Sequence, residues 1–395
     1  MAILAVNAGS STLKFSVHPL ESGQVLPPVL SGTIQGLEPG GQPAMGWTQG
    51  NQTHRRTLPL PPGNPFDLAL DSLHQLLDEV PTLPPLLAVS HRVVHGGQAF
   101  RSSVVVTPEI LATLEDLNSL APLHQPHNLA GIRAFRKAFA TLPQVACFDT
   151  AFHATLPALE YTFALPQALS AEGVRRYGFH GLSYQSVMGT LRQATPRAHG
   201  RTLMAHLGNG ASMCAAVGGR SVATTMGFSA LEGLMMGSRC GSIDPGVLLY
   251  LLEQGWSHDR IQTLLYRQSG LLGVSGVAAD MRTLRADASP SAQFAIDLFT
   301  HCIVRNAGAL TASMAGIDLL AFTGGIGEND AVLRAQVCQR LGYLGVRIDE
   351  ARNLANDARA AARPIHAPDS QVEVWVAPTD EGQVVASEAA ALILG

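Results

Sequence analysis

The stretch LAVNAGSSTLKF, residues 4–15, decides the fold class together with a second stretch of the same plan, LMAHLGNGASMC, residues 203–214. Each has an apolar strand, a turn of glycine and small polar residues, and a second strand with alternating apolar positions. Gly9 and Gly208 occupy equivalent places in the two turns. Two such hairpins half a chain apart predict two α/β domains of similar plan, each of which presents a hairpin tip to a shared cleft.

The length and composition also indicate a compact enzyme of two domains. At 395 residues the chain exceeds the roughly 250 to 300 residues at which one hydrophobic core stops growing. Its residues are 46% hydrophobic and 14% charged, which favours a globular protein over a disordered one. The five cysteines are scattered, so we expect reduced thiols and neither a disulfide framework nor a zinc site.

Charge and hydropathy argue against two classes of partner. The net charge is −4, and basic residues occur in no cluster larger than a pair, so we expect no nucleic-acid partner. The sequence has neither an apolar run of about 18 residues nor a basic segment followed by an apolar one at its start. We therefore expect no membrane partner and a cytoplasmic location.

A lysine follows the first turn closely. The 26 basic residues include only Lys14 and Lys137 as lysines, so an ammonium group two residues beyond the turn indicates a selected phosphate contact. The alternative is a lysine on a strand surface without a role. A P-loop is excluded for two reasons. Its motif, which is glycine, four residues, glycine, lysine and then serine or threonine, is absent from the sequence, and a strand is expected after the turn where a P-loop has a helix.

Periodicity elsewhere predicts alternating strands and helices, with polar, glycine-containing clusters where strands end. Strands are expected within residues 3–7, 13–17, 85–97, 144–153, 202–217, 221–225 and 317–322. Helices are expected at 66–77, 129–139, 291–314 and 330–341, a tight turn at TGGIGEN (323–329), and surface strands and loops at 36–65. Ligands of open α/β sheets bind at the carboxyl ends of strands, and these clusters suit a polyphosphate and its Mg2+. The pattern predicts phosphoryl transfer.

Eight strings along the chain together resemble the acetate kinases. They are NAGSSTLKF, HRVVHGG, FDTAFH, RRYGFHGLSY, HLGNGAS, GFSALEGLMMGSRCGSIDPG, FTGGIGEN and PTDEG. The resemblance implies an α/β fold of two duplicated domains of the actin-like ATPase (ribonuclease H-like) type around a nucleotide cleft. It places the N-terminal domain at residues 1–151, with 383–395 packing on it. Residues 152–382 would form the domain that binds nucleotide and dimerises.

The resemblance also implies roles for individual residues. Catalytic roles fall to Arg92, Asp149, His180 and Arg239, and the acetate pocket to Arg92, Val94 and Leu123. Asn7 and Glu381 match the residues that hold Mg2+ or Mn2+ directly or through water. Matches to the ATP and ADP contacts are Ser10, Thr12, Lys14, His206, Leu207, Gly208, Asn209, Gly210, Asp280, Met281, Arg282, Gly324, Gly325, Ile326, Gly327, Glu328 and Asn329.

The implied reaction is transfer of phosphate between ATP and acetate, which gives acetyl phosphate, in a homodimer to which the helix at 291–314 contributes. A carboxylic acid with a pKa of about 4.3 is ionised at pH 7, so arginines and a histidine suit this acceptor better than a general base. One alternative is a propionate or other short-chain acid kinase. The other is a nucleotide-driven binding module in the manner of actin or Hsp70, in which Arg92 and Arg239 would have no purpose.

Three positions depart from the usual spelling of the family. Thr12 replaces serine and keeps the hydroxyl, Gln125 replaces asparagine near the substrate pocket, and Ser242 replaces aspartate in the Arg239 loop. The remaining histidines of the motifs are interpreted as hydrogen-bonded scaffolding. They are His91, His95, His124 and His153, with His206 as a second possibility beside its nucleotide contact.

Overall fold

The structure is a computed structural model that describes residues 1–9, 11–38, 40–59, 65–122, 124–355 and 362–395. Its contacts divide the chain into two compact units. Unit 1 comprises Met1–Ala151 and Asp380–Gly395, and unit 2 comprises Phe152–Thr379. No helix within the described residues is long and apolar enough to cross a membrane.

The elements alternate along the chain as the periodicity predicts. The strands are β1 (Ala2–Ala8), β2 (Thr12–Glu21), β3 (Gln24–Val25), β4 (Leu30–Gln35), β5 (Ala44–Gln49), β6 (Gln52–Thr57), β7 (Leu86–Val93), β8 (Val104–Val105), β9 (Gln144–Phe148), β10 (Arg201–Leu207), β11 (Ala211–Val217), β12 (Arg220–Thr224), β13 (Leu319–Thr323), β14 (Arg363–Pro364) and β15 (Glu373–Val376). The α-helices are α1 (Pro65–Glu79), α2 (Pro108–Asp116), α3 (Gln125–Ala138), α4 (Ala158–Tyr161), α5 (Gln167–Ala171), α6 (Gly181–Ala194), α7 (Pro245–Glu253), α8 (His258–Arg267), α9 (Gly270–Ser275), α10 (Met281–Ala286), α11 (Pro290–Ser313), α12 (Gly324–Asn329), α13 (Ala331–Arg340), α14 (Glu350–Leu354) and α15 (Glu381–Leu394).

Each unit is built on one mixed sheet, and the two sheets share a core of the same topology. The sheet of unit 1 runs β6-β5-β4-β2-β1-β7-β9-β8, with β3 paired to β2, and that of unit 2 runs β12-β11-β10-β13-β15-β14. In unit 1 the neighbouring strands β4, β2 and β1 are antiparallel, and β7 and β9 continue the sheet parallel to β1. In unit 2 the strands β12, β11 and β10 are antiparallel in the same way, and β13 and β15 continue the sheet parallel to β10. The two predicted hairpins, β1–β2 and β10–β11, therefore occupy equivalent places, and the predicted duplication is confirmed.

Helices cover both faces of the unit 1 sheet. Leu4, Val6 and Phe15 pack with Leu73 of α1 and Phe135 of α3 in one apolar cluster. The C-terminal helix α15 contacts β1, β2, β7 and β9. Because side chains alternate across a strand, α15 meets the opposite face of β1, the face that carries its odd-numbered residues. A C-terminal segment thus covers the sheet that begins the chain.

In unit 2 the helix α6 packs on the sheet through Tyr184, Val187 and Leu191, against Met204 of β10 and Leu319 of β13. The long helix α11 contacts β10, β11 and β12, which agrees with the helix predicted at residues 291–314.

One local prediction was wrong. TGGIGEN is not a tight turn, because its residues from Gly324 to Asn329 form the short helix α12. The Glu328 carboxylate accepts from the backbone N–H of Gly324 at 2.9 Å, at the start of its own helix. Glycine is a poor helix former, so this cap and the contacts described below favour a helix that composition alone argues against.

Candidate active site

Arg92, Asp149 and Glu381 form an ion-paired cluster in unit 1. Arg92 lies on β7 and Asp149 directly follows β9, its parallel neighbour. The Arg92 guanidinium donates to both carboxylate oxygens of Asp149, from Nε at 3.1 Å and from Nη2 at 2.6 Å. Glu381, the first residue of α15, places Oε2 3.3 Å from Arg92 Nε. Two carboxylates thus orient the guanidinium of Arg92, whose side chain is 22% exposed.

Burial governs ionisation in this cluster. Desolvation raises the pKa of Asp149 to about 6, and the Glu381 carboxylate adds to the rise, while Arg92 counters it. Desolvation on its own would lower the pKa of Arg92, but the two carboxylates raise it above its ordinary value. Arg92 therefore keeps its positive charge at pH 7, and Asp149 contacts it as an anchor.

The hairpin tip between β1 and β2 lies beside this cluster at the carboxyl end of β1. The backbone N–H of Gly9 donates to Thr12 O at 2.8 Å and closes the turn. Asn7 and Lys14 are cross-strand partners, so their side chains leave the same face of the sheet. Lys14 is exposed and Asn7 is half-buried. Ser10, the remaining residue predicted here, lies outside the described residues.

The face that carries Asn7 also carries the start of α15. Ser16 of β2 lies on this face, and a Cβ on Gly382 would lie 2.7 Å from its Oγ. Glu381 thus belongs to the turn of helix that covers the face of Asn7. Within the described ranges no three acidic, histidine or cysteine side chains are grouped as a metal site. An amide and a carboxylate oxygen are ligand types that suit Mg2+, so Asn7 and Glu381 would fit such an ion.

The loop after β7 is held by two side chains of α3. Asn128 Oδ1 accepts from the Val94 N–H at 3.0 Å, and Asn128 Nδ2 donates to Ala8 O at 2.7 Å. Asn128 thereby ties the loop to the end of β1, next to the hairpin tip. Gln125 pairs with both backbone groups of His95, since its Oε1 accepts from N at 3.3 Å and its Nε2 donates to O at 3.0 Å.

The predicted acetate pocket is described only in part. Val94 is buried, while Leu123 lies outside the described residues. Gln125 is fully buried and its amide is engaged with the loop backbone, so this departure from asparagine affects how the loop is braced. Sequence analysis missed Asn128, because no local signal marks an amide whose two partners lie on other elements.

In unit 2 the turn between β10 and β11 lies beside His180 and Arg239. The Gly208 N–H donates to Gly210 O at 3.1 Å across the turn. A Cβ on Gly210 would lie 3.4 Å from His180 Nε2 and 3.9 Å from Arg239 Nη1. Both side chains thus flank one glycine, which leaves space between them. Ring and guanidinium nitrogens that converge on one point suit an anion with several oxygens.

The loop that carries Arg239 is braced from within. Arg239 Nη1 donates to Ala230 O at 3.0 Å. The Gly233 N–H donates to Ser242 Oγ at 3.1 Å, and the Ser242 N–H donates to Gly233 O at 3.0 Å. Ser242 therefore closes the base of the loop with a hydroxyl in place of the carboxylate that the family usually has there.

His180 precedes α6 in the left-handed backbone region, with φ of 58°, which few residues other than glycine adopt. The preceding residue is held by His153, whose Nε2 lies 3.0 Å from Phe179 O. His153 Nδ1 lies 2.8 Å from Ser221 Oγ. Burial lowers the pKa of His153 to about 4, so its ring is neutral at pH 7 and donates from Nε2 to the carbonyl. His153 is thus a buried support for the backbone of His180.

Several of the nucleotide-side residues predicted from the resemblance lie at or next to the same turn. Asn209 O accepts from the Gly237 N–H at 2.9 Å, and a Cβ on Gly237 would collide with Asn209 Oδ1. The start of α12 abuts the end of β10, because a Cβ on Gly324 would lie 2.8 Å from Leu207 O. His206 stacks on His180, with ring centroids 4.3 Å apart. These contacts bring residues from four motifs together in unit 2.

At the start of α10, Asp280 accepts from the Thr283 N–H and pairs with Arg282 at 3.3 Å. Asp280 and Arg282 are both exposed, whereas the Met281 side chain is buried. Little of the Met281 side chain is therefore exposed for contact with a nucleotide.

In α12, Gly325 and Asn329 are exposed and joined by a 2.8 Å hydrogen bond from Asn329 Nδ2 to Gly325 O, while Ile326 is half-buried and Gly327 is buried. Arg334 of α13 supports the helix from below. Its guanidinium is fully buried and donates to the carbonyls of Gly327 and Glu328, each at 2.8 Å. Nothing in the sequence distinguishes Arg334 from the other arginines.

Comparison with known proteins was made by family model, by sequence and by structure. Residues 2–387 match the model of the acetokinase family. The acetate kinase of Rhodopseudomonas palustris (strain ATCC BAA-98 / CGA009) is 48% identical over 391 residues, 97% of this chain and 96% of that protein.

Two solved structures are similar over nearly the whole chain. The acetate kinase of Porphyromonas gingivalis has a TM-score of 0.87 and 35% identity, and covers 99% of both chains. A propionate kinase from Francisella tularensis subsp. tularensis SCHU S4 has a TM-score of 0.88 and 34% identity, and covers 98% of both. The resemblance inferred from the eight motifs and the fold class that it implied are thereby confirmed. The chain belongs to the acetokinase family, and it is a phosphotransferase with a carboxyl group as acceptor.

Proposed function

We propose that the chain is an acetate kinase, which transfers the γ-phosphoryl group of ATP reversibly and in line to acetate, giving acetyl phosphate and ADP. Family membership supports the reaction class. One observation in the structure carries the proposal further, because His180 Nε2 and Arg239 Nη1 flank Gly210 in the HLGNGAS turn. A ring nitrogen and a guanidinium beside one small space suit a phosphoryl group in transit, on which charge builds up over three oxygens.

The charges of the site suit an anionic nucleophile. Acetate is ionised at pH 7 and needs no base, but its carboxylate and the phosphates repel each other. We assign the acetate carboxylate to Arg92 and the phosphoryl group to Arg239 and His180. Asp149 holds Arg92 by two hydrogen bonds, so its part is to orient a guanidinium.

The nucleotide and metal assignments follow the family pattern. We assign the phosphates of ATP to the hairpin tip at 7–14 and to the turn at 208–210, with His206 and Leu207 beside it. The adenosine side is assigned to residues 280–282 and 324–329. Asn7 and Glu381 would hold Mg2+, or Mn2+ in its place, and the ion would neutralise charge on the phosphate oxygens. The shared face of these two side chains supports that assignment.

Acetate is proposed as the acid, with propionate as the competitor. Val94 and Leu123 are assigned to the pocket for the methyl group, and a buried valine favours the smaller acid. One extra methylene changes discrimination by only about 1 to 3 kcal/mol, so a minor activity on propionate is expected.

The helix α7 supports a homodimer. It has no buried residue, and its apolar side chains Val247, Leu249, Tyr250 and Leu252 are between 38% and 62% exposed. Exposed apolar patches of this kind mark protein contacts. The predicted interface helix, α11, instead directs many of its apolar residues into its own unit, although Phe294 is exposed. We therefore propose α7 as the main dimer contact. The cytoplasmic location stays a prediction from the sequence.

An acyl phosphate assay tests the proposed function. Acetyl phosphate trapped as the hydroxamate should form from ATP and acetate, with kcat/KM lower for propionate and lower again for butyrate. A preference for propionate would refute the choice of acid. ATP hydrolysis that does not depend on any of the acids would instead favour a nucleotide-driven binding module.

A matched pair of variants tests the arginine assignment. Arg239→Ala should reduce acyl phosphate formation by a factor of about 10^3, the range that loss of a charge-stabilising arginine gives in phosphoryl transfer. Arg220→Ala, at an exposed arginine of β12 in the same unit, should leave the rate unchanged. If Arg239→Ala formed acetyl phosphate at the rate of the Arg220 control while still binding ATP, the assignment would be wrong.

A further inference from the structure

Two linked, buried hydroxyl groups lead to Nδ1 of His180, the ring nitrogen on the side away from the Gly210 turn. Ser212 of β11 places Oγ 2.9 Å from His180 Nδ1. The Tyr184 hydroxyl, on the first turn of α6, lies 2.5 Å from the same Oγ. Ser212 and Tyr184 are both fully buried. Three polar groups from two elements thus form one chain that ends at the ring of His180.

The protons of this chain can be counted. Among the described residues, Ser212 Oγ is the only acceptor in hydrogen-bonding geometry with the Tyr184 hydroxyl. If Tyr184 donates to Ser212, the serine hydrogen is left to donate to His180 Nδ1, and both hydroxyl protons have an acceptor. Nδ1 then carries no proton, and the proton of the neutral ring lies on Nε2.

The opposite arrangements each leave a proton without an acceptor. If His180 Nδ1–H donated to Ser212, the serine could donate to Tyr184, and the phenol hydrogen would have no acceptor. If both neighbours donated to Ser212, the serine hydrogen would have none. A buried donor left unsatisfied costs about 1 to 3 kcal/mol, so the first arrangement dominates.

The contact with Ser212 fixes the orientation of the ring, because a flip about Cβ–Cγ would put Cδ2 in the place of Nδ1 and break that hydrogen bond. His206 stacks on His180 with an interplanar angle of 27°. His206 is itself fixed, because its Nδ1 lies 2.8 Å from Ser183 Oγ. Nε2 of His180 therefore keeps its place beside Gly210, where a Cβ would lie 3.4 Å from it.

We propose that Tyr184 and Ser212 act as positioning residues that hold His180 in the tautomer with its proton on Nε2. Resting on the proposed function, the inference makes His180 a neutral hydrogen-bond donor to an oxygen of the transferring phosphoryl group. His180 neither accepts a proton from acetate nor gives one to the phosphate. The direction of the relay, from phenol to serine to imidazole, decides which nitrogen faces the reaction.

The tautomer can be read directly by nitrogen NMR. The full chain labelled with 15N-histidine should show, for His180, a protonated-type Nε2 and an unprotonated Nδ1 at neutral pH. The signals are assigned by their loss in His180→Gln. Ser212→Ala and Tyr184→Phe should shift both nitrogens toward the average of two exchanging tautomers. A proton on Nδ1 in the unaltered protein would overturn the proposal.

Kinetics separate positioning from a merely structural effect. Ser212→Ala should lower kcat by about tenfold, the equivalent of one hydrogen bond, with the KM values for ATP and acetate unchanged. Ser212→Thr keeps the hydroxyl and should restore kcat, and Tyr184→Phe should fall between them. Thr190→Ala, at an exposed site on α6, is the control with no expected effect.

The outcomes discriminate between the two proposals. An unaltered protein that makes no acetyl phosphate refutes the proposed function, and the NMR result still decides the tautomer. If Ser212→Ala mixed the tautomers and kcat stayed unchanged, the positioning role would be refuted while acetate kinase activity stood. Should Ser212→Ala fail to fold, Tyr184→Phe provides the same test.

Discussion

Asn128 is predicted to be a structural link between the loop that carries Val94 and the hairpin tip that follows Ala8. Its amide is 5% exposed and makes two hydrogen bonds, at 3.0 Å from Val94 N and 2.7 Å to Ala8 O. Asn128→Ala leaves these two buried backbone groups without that partner. Since each unsatisfied group costs about 1 to 3 kcal/mol, the free energy of unfolding should fall by about 2 to 5 kcal/mol.

The measurement is urea unfolding, with His127→Ala as the matched control. His127 is the preceding residue of α3 and is exposed, so its replacement should change the free energy of unfolding by less than about 0.5 kcal/mol. Asn128→Asp retains the acceptor for Val94 N–H but turns an oxygen toward Ala8 O, and should be at least as unstable as Asn128→Ala at pH 7.

A kinetic effect should accompany the loss of stability. Because the loop positions Val94, the KM for acetate should rise more than the KM for ATP in whatever fraction of Asn128→Ala stays folded. Equal unfolding free energies for Asn128→Ala and His127→Ala would refute the reasoning, since they would mean that the two hydrogen bonds contribute nothing.

Three further predictions concern other parts of the chain. Arg334→Met keeps a similar volume but leaves the carbonyls of Gly327 and Glu328 without this donor. Each unsatisfied group costs about 1 to 3 kcal/mol, so we expect the free energy of unfolding to fall by about 2 to 5 kcal/mol and the KM for ATP to rise. An unchanged KM would separate the helix α12 from nucleotide binding. Burial lowers the pKa of His91 to about 4. Between pH 6.5 and 4 the unfolded chain therefore binds more protons than the folded one, and the free energy of unfolding falls as the pH is lowered, by up to about 3 kcal/mol from this group. His91→Gln should therefore show a shallower loss of unfolding free energy over that range, and an unaltered pH dependence would contradict it. Leu249→Glu on α7 should convert a dimer to monomers in light scattering without changing the monomer's circular dichroism, and a dimer that persists would exclude α7 as the interface.

Much of the fold could be predicted because its signals are local. Alternating apolar residues on both sides of a glycine turn predict the β1–β2 and β10–β11 hairpins. A long run of apolar residues at helical spacing predicts α11. The prediction at TGGIGEN was wrong because the glycines of α12 favour a turn. The helix is stabilised by the Glu328 cap and by Arg334 from a neighbouring helix, and the second of these contacts is not a local signal.

The candidate site was predicted as residue types and motifs, but their partners were not. Asp149 was interpreted as a partner of charge, and its two hydrogen bonds to Arg92 agree with that interpretation. Gln125 was recognised as a departure from the family, yet its engagement with the His95 backbone needed the placement of α3 beside the loop. Roles of the individual site residues stay predictions that the variants above test.

The sequence by itself determined the two hairpins, the duplicated plan and the membership of the acetokinase family, because these rest on local periodicity and on eight short strings in order. Only the tertiary structure decided which groups meet. It joined Asn128 to Ala8, Tyr184 and Ser212 to His180, and Glu381 to Arg92, pairs that lie on different elements of one unit. Hydrogen bonds of this kind depend on how strands and helices pack, since a side chain's partner is set by distance in space and not by spacing along the chain.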